Sequence, residues 1–190
     1  MSFLRLSAAL LSLSAATGLA AAQQRTLKVD PAQSKVNFVL KSTTHTVEGS
    51  FKVQEGSINF NPADGSMQGE IAVGSATGDT GNGSRDKKMT KDQMQAGKFT
   101  SVTFAPKHFA GTLNPTGDSD INVQGIFTLL GKSHEIMVPM QIHQTGTALE
   151  AKGSFVVPFV AWGMKDPSVF VLHVDKQATV NLDLTGTVTP

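Results

Sequence analysis

Lys35-Val36-Asn37-Phe38-Val39-Leu40-Lys41 decides the fold. Side chains along an extended chain alternate faces, so Val36, Phe38 and Leu40 share one side while Lys35, Asn37 and Lys41 share the other. One dry face and one wet face mark a half-buried strand. Toward the C-terminus the habit continues through Val47, Gly49, Phe51 and Val53, then Ile58 and Phe60. Asn61-Pro62-Ala63-Asp64-Gly65 supplies turn chemistry, and Ile71 and Val73 resume on a hairpin partner.

Residues 76–98 break the alternation. They are rich in Gly, Lys, Asp and Gln, with Met89 and Met94 as their large apolar side chains. Thr90-Lys91-Asp92-Gln93 matches a capping box, which predicts a short helix starting there. The charge block Arg85-Asp86-Lys87-Lys88 reads as a solvated helical face. Strands return at Val102 and Phe104, at Phe109, Gly111 and Leu113, and from Ile121 and Val123 into Phe127 and Leu129. They continue through Ile136, Val138, Met140 and Ile142, then Leu149, Phe155 and Val157. Asn114-Pro115-Thr116-Gly117-Asp118 and Gly146-Thr147 fall between them as turns. After a second interruption, Pro158 to Ser168, the tail runs Val169 to Val174 and Ala178 to Val188. Eight or more strands must bury their apolar faces against a second sheet or against their own closed curve, so the pattern predicts an all-β sandwich or barrel.

The N-terminus carries a different signal. Arg5 opens a run from Leu6 to Leu19 that is apolar but diluted by Ser and Thr, and Ala20-Ala21-Ala22 offers a small-residue cleavage site. The expectation is a cleaved signal peptide over 1–22 and one domain over 23–190, undivided by linker or repeat, in a periplasmic or secreted protein. No stretch of the ~20 apolar residues needed for a spanning helix follows, so no stable membrane anchor is expected. The chain has no cysteine, which removes disulfides, thiolate metal sites, catalytic thiols and a lipid acceptor. Its formal charge is +1, and loss of Arg5 with the leader leaves 15 basic and 15 acidic side chains, a balance that argues against nucleic acid as a partner.

Catalytic signatures fail on spacing. Gly125 to Gly131-Lys132-Ser133 imitates a phosphate loop but has one residue too many between its glycines, and a strand bearing Pro139 follows where a helix is required. Gly81-Asn82-Gly83 has Asp86 where a dinucleotide fingerprint needs glycine. His134-Glu135 has Val138 where a zinc protease needs its second histidine, and no Gly-x-Ser-x-Gly elbow occurs. His45, His108, His134, His143 and His173 are unpaired at short spacing, so no catalytic set, metal site or cofactor is assigned, although a fold-assembled metal or hydrolytic site stays open as an alternative. What remains is apolar capacity: 11 Phe, one Trp and no Tyr, with the Phe side chains mostly on one strand face. They form either a solid core, the simpler reading of composition, or the wall of a cavity for a greasy ligand.

Val29-Asp30-Pro31-Ala32-Gln33-Ser34-Lys35-Val36-Asn37-Phe38, Val47-Glu48-Gly49-Ser50-Phe51 and Ser75-Ala76-Thr77-Gly78 resemble, in order and spacing, the YceI-like family of exported polyisoprenoid-binding proteins. So do Arg85-Asp86 with Met89, Phe99-Thr100-Ser101-Val102-Thr103-Phe104 and the run Gly125 to Glu135. The resemblance covers nearly all of residues 23–190. It implies an extended lipocalin-like antiparallel β-barrel of about eight strands, with a short helical insertion near Arg85, around an apolar tunnel for an isoprenoid or other long-chain lipid of the quinone, polyprenol or polyprenyl phosphate type. On that basis Phe38, Val47, Phe51, Phe104, Val123 and Phe127 are expected along the wall and Trp162 near a barrel end. Met89 and Met94 would cap the tunnel with flexible side chains, and Arg85 would anchor the head group or pin the insertion by pairing with Asp86 or a nearby carboxylate. The implied role is non-enzymatic, with a homodimer left open; an interaction protein with a solid core is the other alternative. The chain departs from the family at Lys41, where many members have His, at Thr100 in place of Pro, and at His134 in place of Lys.

Overall fold

Pairing of the first strand with the last closes the molecule. The computed structural model describes residues 24–168 and 173–190. The expected leader and part of the expected strand Val169 to Val174 lie outside them. Among the described residues the strands are β1 (Arg25–Val29), β2 (Lys35–Lys41), β3 (Thr46–Phe51), β4 (Val53–Phe60), β5 (Met67–Gly74), β6 (Ser101–Gly111), β7 (Gly117–Leu129), β8 (Lys132–Thr145), β9 (Ala148–Val157) and β10 (Ala178–Thr189). They form an antiparallel sheet in the order β1-β4-β5-β6-β7-β8-β9-β10-β2-β3, and β1 pairs back onto β10.

Two of those ten strands are continuations. β1 and β2 both run against β10, with Val29 opposite Gly186 and Lys35 opposite Asp183, so they are one strand interrupted by the turn Asp30–Ser34. Ser34 repairs the ladder at the break: its buried hydroxyl accepts from the Thr185 N–H at 3.0 Å and donates to the Thr185 carbonyl at 3.3 Å. β3 and β4 are likewise one strand broken at Lys52. Counted this way the ring has eight strands, a closed, lipocalin-like antiparallel barrel that leaves no free edge around its lower half.

The expected turns at Asn61–Gly65 and Gly146-Thr147 hold, while Gly117 and Asp118 of the expected turn at Asn114–Asp118 already belong to β7. Asn61–Ser66 joins β4 to β5, with the Asn61 side chain accepting from the Ala63 N–H at 3.0 Å and Asp64 accepting from the Ser66 N–H at 2.9 Å. Leu130 and Gly131, not marked as a turn in the sequence, sit at φ 50° and 69° and make the two-residue link between β7 and β8, whose mirror-image twist matches the strands it joins.

The interior is divided by height. The lower half is filled by a continuous core that includes Leu27, Ile58, Phe60, Phe109, Ile121, Val123, Val138, Met140, Ile142, Leu149 and Val188. A second cluster around Met94, Leu129, Leu130, Val157 and Phe159 sits at the upper end. Solid core and cavity are therefore both present, stacked one above the other.

Candidate functional site

Between the two clusters lies a cavity of about 380 Å³. Val36, Ile71, Val138 and Leu184, the top of the lower core, form its floor. Alternation places Phe38 and Leu40 of β2, Val47 and Phe51 of β3, Phe104 of β6, Phe127 of β7 and Phe155 of β9 around the wall. Phe38 meets Phe51 with ring centroids 5.6 Å apart, and Phe127 meets Phe155 edge-on at 5.6 Å. Phe38 takes its pose because its cross-strand partner is Gly49: a Cβ there would stand 2.5 Å from the ring.

The upper opening carries the polar groups. Ser42 and His45 come from the β2–β3 turn, and Thr80, Arg85, Lys88 and Gln93 from the excursion after β5. That excursion is docked on β3 by paired backbone hydrogen bonds between Ser50 and Asp79, at 2.8 and 2.9 Å. Its helix, α1 (Gly83–Lys88), starts earlier than the capping-box reading placed it. Asn82 is the N-cap, its side-chain oxygen accepting from Ser84 and Arg85 N–H groups at 3.2 and 3.1 Å. Thr90–Gln93 instead falls in a π-helical turn, Met89–Gln93, with no side-chain cap. The wider turn buries Met94 and brings Met89 to the cavity. The charge block is likewise not a uniformly solvated face: Arg85 and Lys88, three apart and so on one side of the helix, border the cavity.

Arg85 does not pair directly with Asp86. Its Nε donates to Thr80 Oγ1 at 2.7 Å and its Nη2 to the Thr80 carbonyl at 2.9 Å. Thr80 Oγ1 in turn donates to Asp86 Oδ1 at 2.5 Å, and the Thr80 N–H donates to the same oxygen at 3.0 Å. The guanidinium and the carboxylate thus clamp Thr80 from two sides. Among the described residues no Lys or Arg side chain lies within 4.0 Å of a carboxylate oxygen, the one contact of that kind being His143 Nδ1 with Asp118 at 2.6 Å on the outer surface, so neither Arg85 nor Lys88 faces an acidic partner.

Eight of the ten expected wall and anchor residues border the cavity: Phe38, Val47, Phe51, Arg85, Met89, Met94, Phe104 and Phe127. Two do not. Val123 belongs to the lower core, paired with Phe109 and Val138, below the cavity floor. Trp162 stands behind the wall, 5.7 Å from the Phe127 ring and stacked on His134 at 4.1 Å. Residues not singled out from sequence complete the lining, among them Leu40, Lys88, Val102, Phe155, Phe159 and Met164. Alternation marked most of the strand residues as inward-facing, but nothing local ranked one inward residue above another. The histidines are scattered, and among the described residues no group of three or more His, Asp or Glu side chains is placed to hold a metal ion.

A closed antiparallel barrel with a solid floor, an apolar chamber above it and cationic groups at the rim defines a lipocalin-like barrel. The YceI-like domain model matches residues 27–186, and the chain belongs to that family. Among solved structures it is similar to BcnA of Burkholderia cenocepacia, at 24% identity over 85% of this chain and 99% of the other, with a TM-score of 0.67. A polyisoprenoid binding domain from Saccharophagus degradans, implicated in plant cell wall breakdown, aligns at 14% identity over 86% and 98%, with a TM-score of 0.69. The YceI protein of Campylobacter jejuni aligns at 17% identity over 76% and 86%, with a TM-score of 0.62. No curated protein matches the sequence.

Proposed function

We propose that this protein is a non-enzymatic binder of an isoprenoid or similar long-chain lipid, which it carries or sequesters after export and removal of residues 1–22. The observation that carries this reading is the polarity of the chamber: an apolar wall and floor, with Arg85, Lys88 and His45 collected at the open end. Each chain methylene moved from water to such a wall contributes about 0.8 kcal/mol before entropic costs. Guanidinium and ammonium groups at the rim suit phosphate or quinone oxygens, because both donate charge-assisted hydrogen bonds. A volume of about 380 Å³ lies within the ~300–1,000 Å³ of small-molecule sites. Family membership and the polyisoprenoid-binding description of the Saccharophagus domain support the same reading.

Native mass spectrometry of protein purified from its own host tests it. A co-purified lipid mass, or uptake of added isoprenoids of roughly C30 to C50, the span an extended tunnel would take, is expected. An empty protein that takes up none of them refutes it.

A further inference from the structure

On four strands the inward side chains are fully buried where the chamber ends. Val36 of β2, Ile71 of β5, Val138 of β8 and Leu184 of β10 are 9%, 9%, 2% and 5% exposed. One inward position higher on β2, β5 and β10, Phe38, Val73 and Leu182 are only half-buried, because they face the chamber. Below the floor no space is left. A Cβ on Gly56 would stand 2.9 Å from Val29 and 3.3 Å from Ile71, and one on Gly186 would stand 2.8 Å from Leu27. Neighbouring side chains thus already fill the room that even a methyl group would need, as in a close-packed interior. A chain pushed past this level would overpack the core beneath it.

Depth and volume give the capacity above the floor by separate routes. From Val36 to Ser42 at the opening, β2 advances six residues, about 20 Å along the strand. Strands of such a barrel tilt by about 40°, which leaves about 15 Å along its axis. A carbon chain of ~1.5 Å bonds at about 111° advances roughly 1.25 Å per bond, so about twelve backbone carbons reach from opening to floor. With one methyl for every four backbone carbons, that is about three isoprene units, or about 15 carbons. Volume leads to the same figure: an apolar cavity of about 150 Å³ takes one benzene, and at that density about 380 Å³ takes about 15 carbons. The agreement means that the chamber is one chain wide. It has the length for a single pass and no volume for the chain to turn and come back.

We propose that the floor is a chain-length stop, which matches the chamber to a single prenyl chain of about three isoprene units. A longer chain is held by one end, with its remainder outside the barrel. The inference rests on the lipid-binding reading above and adds to it the length of chain that the site takes. Val36, Ile71, Val138 and Leu184 are then the residues that set this length, and the half-buried side chains above them only line it.

Each isoprene unit carries one double bond, so the buried length can be counted. Protein loaded with hexaprenyl phosphate is treated with a water-soluble peracid at neutral pH, which adds one oxygen atom to each double bond it reaches. The lipid is then extracted and weighed by mass spectrometry against free lipid treated alike. About three double bonds are expected to escape in the hexaprenyl chain, and all of those in bound farnesyl phosphate. Val73→Phe places roughly four extra carbons just above the floor, nearly one isoprene unit, and should lower the protected count by about one. Leu182→Phe fills the same level from β10 and keeps the test standing if Val73→Phe does not fold. Protection of every double bond in hexaprenyl phosphate, or an unchanged count in the filled variants, overturns the stop and leaves lipid binding in place. Protein that takes up neither hexaprenyl nor farnesyl phosphate overturns the lipid-binding reading itself.

Discussion

Val47→Phe and Val123→Phe are one substitution made at two heights of the same barrel, and they should part company. Val123 is 6% exposed and sits between Phe109 and Val138, themselves 4% and 2% exposed. Roughly four extra carbons have no room there, and overpacking of this kind costs about 1–3 kcal/mol. For a chain of this length that lowers the thermal midpoint by roughly 2 to 10 °C. Val47 is half-buried opposite Leu40 and borders the cavity, so the new ring enters empty space. It should leave the midpoint nearly unchanged while displacing about one five-carbon isoprene unit. At ~0.8 kcal/mol per carbon that is about 4 kcal/mol, near a thousandfold in affinity as an upper bound. Thermal unfolding paired with lipid titration by native mass spectrometry reads both quantities. If Val47→Phe destabilises the fold as strongly as Val123→Phe, or if neither loses lipid, the division into solid floor and hollow chamber is wrong.

Arg85→Ala should shorten lipid retention while global stability falls by no more than about 1–2 kcal/mol, since it removes two partly exposed hydrogen bonds to Thr80. Arg85→Lys keeps the charge but loses the fork, and should recover less than half of the lost retention time. Asn82→Ala removes the cap of α1, a change worth about 1 kcal/mol locally, and should raise hydrogen exchange in residues 83–88 and leave β7 and β8 protected. Asp30 is held below the ordinary carboxylate value of 3.8, chiefly by the Gln33 side chain and then by the Ala32 N–H. A depressed folded value means its contribution is present above the unfolded value and lost as pH falls through the folded one. Asp30→Asn should therefore lower the midpoint at neutral pH, with the difference from wild type shrinking as pH falls below 3.8 and through the lowered folded value.

Strand faces were legible because alternation is local: Val36, Phe38 and Leu40 point inward in the sequence pattern and in the barrel. The height at which an inward side chain ends up was not. Val47 and Val123 occupy equivalent positions in the alternation, and their opposite fates follow from long-range register, β3 against β2 and β7 against β6 and β8. The start of α1 was misplaced because Thr90-Lys91-Asp92-Gln93 satisfies a local capping rule. The excursion is instead held by Asp79 pairing with Ser50 of β3, which makes Asn82 the cap. Arg85 was recognised and its partner was not, because the Thr80 hydroxyl relays between guanidinium and carboxylate, and a threonine five residues upstream carries no charge pattern. Pro139 marks a strand where a phosphate loop would need a helix; that the β8–β9 ladder ends beside it, at Met140 with Gly153, is a matter of long-range register.

The seam between β1 and β10 sets Thr26 beside Thr189. A ring joined at that seam cannot close until β10 has been made, because its partner β1 is the first strand of the described residues and β10 the last. Until then Val188 and Leu27, buried neighbours in the finished core, are exposed at opposite ends of an open sheet. Closure across so great a sequence separation is slow by nature. Export of the kind proposed above would benefit from that delay, since the last contact made is the one that commits the chain to a shape too wide to thread.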